Sequence, residues 1–128
     1  MVSDPPPLVR FTALPNGWHS FRSGDGAYAL SWNYQPNPLG WATHMPKNAV
    51  AVTVFFPAGP QPRYPPLRLV MPSRPATTLE GAPDTPEYRI HGRVDGRDAD
   101  VWIDIRRRHP TRAQLRVAQR VVSRIRFA

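Results

Sequence analysis

Alternation of large and small side chains gives the clearest strand signal in the chain. Residues 27–34 carry large side chains on one face and small ones on the other, and this period of two predicts a half-buried strand. The large set is Tyr28, Leu30, Trp32 and Tyr34. Residues 49–56 are apolar on both faces, which predicts a central strand covered on both sides. Shorter alternating runs predict further strands at residues 9–13 and 67–71.

The dipeptide Asp95-Gly96 predicts a β-hairpin, because it favours a two-residue type I′ turn. Such a turn fixes the register of the flanking strands. It places apolar side chains of both strands on one face, and on the other face it brings opposite charges and a cation–π pair together. The pairs predicted on that second face are Arg93 with Asp98, His91 with Asp100, Arg89 with Trp102 and Glu87 with Asp104.

After Pro110 the apolar period changes to that of a helix, predicted at residues 112–123. Thr111 is expected to cap its N-terminus, because Gln114 stands at the spacing of a capping box. One arc is apolar and is expected to pack on the sheet. The opposite arc carries Arg112, Arg116, Arg120 and Arg124. These elements predict an α+β fold, with an antiparallel sheet of about five or six strands and a C-terminal amphipathic helix packed on it.

Length and composition narrow the class of protein. A chain of 128 residues fits one domain, which we place at residues 9–128 behind a proline-rich lead-in or linker at residues 1–8. The chain shows neither a signal-peptide pattern nor an apolar run long enough for a transmembrane helix. It is compatible with a cell-envelope domain cut from a longer protein. The absence of cysteine excludes disulfides, thiol catalysis and cysteine-ligated metals.

Positive charge is concentrated in the last third of the chain. The formal net charge is +8, and from Arg89 onward eleven arginines stand against four aspartates. This pattern predicts an anion-binding surface that could meet the phosphates of nucleic acid, anionic lipid or an acidic cell-envelope polymer. The alternative is a solvated helix face, and no motif specific for nucleic acid accompanies the charge. The predicted surface comprises Arg106, Arg107, Arg108, Arg112, Arg116, Arg120 and Arg124.

The pairing of Glu87 with Asp104 is the one unfavourable contact in the predicted hairpin, because like charges directly across an antiparallel pair destabilise it. Two such carboxyl groups can share a proton or hold a cation, which is how acid–base sites begin. The alternative is an ion-pair network in which Arg89 and Arg106 neutralise them.

Other candidate sites carry weaker signals. The histidines lack the spacing of metal ligands, so we expect neither a metal nor another cofactor. No nucleophile elbow or phosphate-binding loop occurs, which favours a non-enzymatic protein. The loop at residues 35–48 offers Trp41 and His44 as ligand contacts, with the alternative that Trp41 folds back onto the core.

The C-terminal run resembles the ending of uncharacterised actinobacterial envelope-associated domains. The resemblance rests on the strand at residues 100–105, on His109-Pro110-Thr111, on the helix and on Arg124-Ile125-Arg126-Phe127. With the opening Leu14-Pro15-Asn16-Gly17-Trp18, the chain also resembles, distantly, the Mog1/PsbP-like fold, an antiparallel sheet flanked by helices. The resemblance covers roughly the last 45 residues. It implies a fold and transfers no catalytic residue.

These observations favour a non-enzymatic binding or interaction domain whose basic C-terminal surface meets an anionic partner. Two alternatives stay open. The first is a small ligand-binding domain or enzyme that uses Glu87, Asp104 and His91 around a pocket. The second is a structural domain that buries a face with Tyr28 and Trp32 in a homo-oligomer or against a protein partner.

Overall fold

The computed structural model describes residues 9–34, 40–58 and 64–127. The predicted lead-in at residues 1–8 lies outside this part of the chain. The described residues form a six-stranded antiparallel sheet, a two-stranded antiparallel sheet and an α-helix. The elements are β1 (Val9–Phe11), β2 (His19–Ser23), β3 (Gly26–Leu30), β4 (Val50–Phe55), β5 (Thr77–Leu79), β6 (Ala82–Val94), β7 (Arg97–Ile105), α1 (Arg112–Ser123) and β8 (Ile125–Phe127).

The large sheet has the strand order β2-β3-β4-β7-β6-β5, and the small sheet pairs β1 with β8. The α+β class is confirmed, with more strands than the sequence predicted. Within the described ranges, no helix has both the length and the apolar character needed to cross a lipid bilayer.

The hairpin of β6 and β7 is confirmed in every predicted pair. Asp95 and Gly96 have φ angles of 49° and 78°, the positive values that a type I′ turn requires at both central positions. Glu87 lies opposite Asp104 and His91 lies opposite Asp100, as the turn implies. On its other side β7 pairs with β4, so this hairpin forms the centre of the sheet.

Helix α1 has the predicted bounds and covers one face of the sheet. Its capping box is present, because Thr111 accepts a hydrogen bond from the Gln114 backbone and the Gln114 side chain accepts one from the Thr111 backbone. Ala118, Val121 and Val122 of α1 are fully buried in the main core with the apolar residues of β4 and β7. Strand β8 follows the helix at once and pairs with β1 in the same layer.

Strand β3 differs from its prediction in length and in burial. It ends at Leu30, and both of its faces are covered. Ala27 and Ala29 face the main core beside Val9 of β1, where small side chains leave room for the second layer. Tyr28 and Leu30 point to the opposite face, where a second hydrophobic cluster forms.

The prediction of a strand at residues 67–71 is wrong, because the structure has no strand there. Pro66 makes an isolated bridge with Arg93, and Leu67 donates its backbone N–H to the Arg93 carbonyl at 3.1 Å. Prolines before and after the segment lack the donors that a ladder needs. Further along the segment, a side chain supplies the backbone hydrogen bonds that a neighbouring strand would have made. Gln119 of α1 accepts from the Met71 N–H at 2.8 Å and donates to the Leu69 carbonyl at 3.0 Å.

Gln119→Leu should therefore destabilise the domain. The substitution keeps the side-chain bulk and leaves two half-buried backbone groups without partners, which costs about 2 kcal/mol. Denaturant unfolding measures this loss. Arg116→Leu, on the exposed face of the same helix, is the control and should change stability by less than about 0.5 kcal/mol. Equal stability of the Gln119 variant and the wild type would show that the segment is not held by this side chain.

Strand β6 begins at Ala82, earlier than the hairpin predicted, and makes a second hairpin with β5. Pro83 and Pro86 argue against a central strand in the sequence. They are tolerated because β7 pairs with β6 only from Glu87 onward, so β6 has one neighbour at the prolines. The edge strand β5 forms one wall of the site described next.

Candidate functional site

The face of the sheet opposite α1 carries a buried pair of carboxyl groups. Glu87 on β6 lies directly across from Asp104 on β7, and their exposed fractions are 2% and 1%. Ala51 of β4 is the neighbour of Asp104 in this row, and Thr77 of β5 is the neighbour of Glu87. Both acids are buried because strands flank them on both sides.

The pKa of the Asp104 carboxyl group is displaced from its ordinary value. Burial, followed by the hydrogen bond and the like charge of Glu87, raises the pKa of Asp104 to about 9, and Arg89 opposes the shift. Asp104 therefore keeps its proton at neutral pH and donates it to the Glu87 carboxylate. Arg89 binds the same carboxylate through Nε at 2.9 Å and Nη2 at 2.8 Å. The three side chains together carry no net charge.

Arg106 does not neutralise Asp104, contrary to the sequence prediction. Its Nε lies 3.5 Å from Asp84 Oδ2, and its Nη1 donates to the Met45 carbonyl. These contacts hold the Arg106 guanidinium. Arg106 therefore differs from the helix arginines, with which it was predicted to form one anion-binding surface. This leaves Asp104 to be neutralised by protonation.

His91 lies apart from the carboxyl pair. Its Nδ1 contacts the Asp100 carboxylate, as the hairpin register predicts. Four residues of extended strand separate His91 from Glu87, a distance of roughly 13 Å. The structure therefore brings Glu87 and Asp104 together and places His91 in a separate contact with Asp100.

A cleft of about 430 Å³ opens beside the carboxyl pair. Trp102 contributes to its wall, with the Arg89 guanidinium 4.3 Å from the ring centroid and Phe55 packed edge-on at 4.8 Å. Leu79 lines this cleft and also a second one of about 520 Å³. The residues lining the first cleft are Thr77, Thr78, Leu79, Glu80, Glu87, Arg89 and Trp102.

The cleft was not predicted from the sequence, because the strand β5 that walls it was not predicted. The one available signal was the turn at Glu80-Gly81, where Gly81 adopts a φ of 77°. A turn there implies a strand folding back onto β6, which would have placed Thr77 beside Glu87.

Trp41 and His44 belong to the aromatic cluster on the same sheet face. They begin and end a single 3₁₀ turn, and the predicted loop before it is described only from residue 40 onward. Trp41 packs edge-on against Trp32 with ring centroids 6.2 Å apart and half-covers the second hydrophobic cluster. His44 is exposed and lies near Tyr34. The turn contributes Ala42 and Thr43, rather than its two aromatic ends, to the second cleft.

Tyr28 and Trp32, the predicted oligomer face, are partly covered by other aromatic side chains of the chain. Tyr28 stacks on Phe21 at 5.3 Å, and Trp32 contacts Trp41. Burial and the nearby Tyr34 raise the pKa of Tyr28. The aromatic side chains of this face are half-buried by one another.

The outer face of α1 is a concentrated positive surface. Its arginines are exposed, and no carboxylate of the described residues lies within ion-pair distance of them. By contrast, Arg89, Arg93 and Arg97 of β6 and β7 are each paired with a carboxylate. We define the basic helix surface as Arg112, Arg116, Arg120 and Arg124.

Further arginines extend this positive region. Arg107 and Arg108 are exposed just before α1, with Arg107 donating to the Asn48 side chain at 3.3 Å. In the small sheet Arg10 and Arg126 stand directly opposite each other, and both are exposed. The sequence contains no acidic residue after Asp104.

Fold and site together define an α+β domain with a positive helix layer on one side and a cleft over a buried carboxyl pair on the other. Comparison of the chain with known protein families, with curated proteins and with solved structures finds no match.

Proposed function

We propose that this is a non-enzymatic domain that binds an anionic polymer through the basic helix surface. The supporting observation is the contrast between the arginines of the central hairpin and those of α1. Those of the central hairpin have carboxylate partners, whereas those of α1 have none among the described residues. Such a surface leaves its guanidinium groups available for an external anion.

The spacing of the arginines suits a repeating anion. They recur every fourth residue, so successive side chains lie about 6 Å apart along one side of the helix. Guanidinium groups bind phosphate or carboxylate oxygens in a bidentate manner. A polymer that carries one such group per repeat can meet several arginines at once.

The packing of α1 favours a polymer over insertion into lipid. A helix that enters a membrane surface buries its apolar side chains among the acyl chains. Here Val121 and Val122 are already buried in the core, so the helix offers charge alone. Binding that rests on charge depends steeply on salt. The resemblance to envelope-associated and Mog1/PsbP-like domains is part of this proposal and accords with an acidic envelope polymer as the partner.

Charge reversal of the helix should abolish this binding. For Arg112→Glu, Arg116→Glu and Arg120→Glu combined, we expect at least a hundredfold loss of affinity for inorganic polyphosphate. The slope of log K against log salt should also fall by about 3. Fluorescence anisotropy over a salt titration measures both quantities.

The matched control changes the same net charge elsewhere. Arg22, Arg68 and Arg74 are exposed residues outside α1, and their combined change to glutamate should weaken binding only a few fold. Equal losses of polyphosphate affinity in the two triple variants would show that binding depends only on net charge. That result would contradict a defined binding surface. Binding to anionic vesicles but to neither polyphosphate nor duplex DNA would overturn the polymer as the partner.

A further inference from the structure

Polar atoms without partners gather on the sheet face opposite α1. Among the described residues, the buried side-chain atoms that lack a hydrogen bond are Thr53 Oγ1, Trp102 Nε1 and Asp104 Oδ1. Thr53 lies directly across from Trp102, and Asp104 follows two residues later on the same strand and face. An unpaired buried polar atom costs about 1–3 kcal/mol, and native proteins pair nearly all of them. Their concentration in one patch indicates a place where an external molecule supplies hydrogen bonds.

The cleft beside this patch has the size and walls of a small-molecule site. Its volume of about 430 Å³ falls within the range of ligand pockets. Trp102 belongs both to the patch and to the cleft wall. Thr77 and Thr78 add hydroxyl groups, and Leu79 adds an apolar contact. Arg89 lies over the Trp102 ring and its side chain is 34% exposed.

The buried charges of the cleft are already paired, and Glu80, the other acid of its lining, is exposed to solvent. Arg89 already neutralises the Glu87 carboxylate at 2.8 Å, and Asp104 is present as the neutral acid. A free cation would compete with Arg89, and a free anion would lie against Glu87. The cleft lining still offers the unpaired indole N–H of Trp102 and the hydroxyl groups of Thr77 and Thr78, which match a group that both donates and accepts.

We propose that this cleft binds an uncharged, hydroxyl-rich molecule of about monosaccharide size. Sugar hydroxyls donate and accept, and the ring's C–H faces suit Leu79 and the exposed part of Trp102. The site lies across the sheet from the basic helix surface and is independent of the polymer proposal. The second cleft, which shares Leu79 with the first, offers room for a further unit of a longer chain.

Three monosaccharides of similar size test the proposal on the ¹⁵N-labelled 128-residue chain. N-acetylglucosamine is neutral, glucosamine is a cation and glucuronate is an anion at pH 7. We expect N-acetylglucosamine to shift the backbone amide signals of Thr77, Thr78 and Leu79 in a saturable way with a millimolar Kd. The two charged sugars should bind at least tenfold more weakly. No saturable shift with any of the three, or tighter binding of a charged one, would overturn the proposal.

Variants locate the binding in the cleft. Trp102→Phe keeps an aromatic ring and removes the unpaired N–H, and it should weaken N-acetylglucosamine binding about fivefold. Trp41→Phe is the matched control and should leave the affinity unchanged. Thr78→Val, on the exposed edge strand, gives a second wall variant with little risk to folding and should also weaken binding. Equal affinities of the wild type, Trp102→Phe and Thr78→Val would place the binding elsewhere. The helix triple variant should bind the sugar normally, which separates this proposal from the polymer proposal.

Discussion

Asp104→Asn should make the domain more stable at pH 8 and leave its stability at pH 4 nearly unchanged. The amide is neutral and close to the protonated acid in shape. It can donate an N–H to the Glu87 carboxylate, as the acid does with its proton. The variant therefore reproduces the form of Asp104 that the folded protein prefers.

The sign of the pH dependence follows from the direction of the pKa shift. In the folded domain the pKa of Asp104 is raised from 3.8 to about 9, with burial as the largest cause. Between these values the folded state holds one proton more than the unfolded state, so stability falls as pH rises. The slope reaches about 1.4 kcal/mol per pH unit, or roughly 4 kcal/mol between pH 4 and pH 7. Asparagine does not titrate and removes this loss.

Urea unfolding at a series of pH values measures the effect. We expect the unfolding free energies of the wild type and Asp104→Asn to converge near pH 4 and to separate steadily toward pH 9. Asp100→Asn is the control, because Asp100 contacts His91 and should bring no gain at high pH. Parallel pH profiles for the wild type and Asp104→Asn would show that Asp104 is ionised in the folded domain.

Gly92→Ala should cost about 3 kcal/mol of stability. Gly92 is buried on β6, and a Cβ there would stand 2.7 Å from the backbone nitrogen of Leu67 and would also overlap its Cα. The obstacle is backbone rather than a flexible side chain, so the segment that covers β6 must shift. Thermal unfolding of the variant should show a midpoint lower by roughly 10 °C.

The control for this change is Gly81→Ala. Gly81 has a positive φ and open space around it, so alanine there carries backbone strain of about 1 kcal/mol without a collision. A further test combines Gly92→Ala with Gln119→Leu. If the segment after Pro65 is already displaced, the second change should cost less than it does alone. Full additivity would contradict a shared segment.

The predictable parts of the fold are those whose signals are local. The Asp95-Gly96 turn needs only its own two residues to set the register of the central hairpin. The Thr111 capping box and the apolar arc likewise fix α1 within one stretch of chain. In both cases residues close in the sequence determine the local structure, and residues distant in the sequence only pack against it.

The parts that were missed depend on distant partners. Strand β2 is mostly exposed and polar, and it becomes a strand because β3 lies beside it. The run at residues 67–71 alternates like a strand, but Gln119 takes the hydrogen bonds that a sheet neighbour would have made. No local pattern encodes either outcome.

The candidate site shows the same division. Pairing of Glu87 with Asp104 follows from the turn, and so does the contact of Arg89 with Trp102. The ion pair of Arg106 does not follow from the turn, because its partner Asp84 lies on the part of β6 that was not predicted from the sequence. Without Arg106, protonation becomes the means of neutralising Asp104.

The pairing of β1 with β8 has a mechanical consequence. Val9 lies opposite Phe127, and Phe11 lies opposite Ile125. A pulling force applied between Val9 and Phe127 would load one end of this ribbon, so its hydrogen bonds would break one after another, as in unzipping. Strands pulled along their length must instead break all their bonds together. Under tension the domain should therefore yield first at this ribbon, while the six-stranded sheet behind it stays intact.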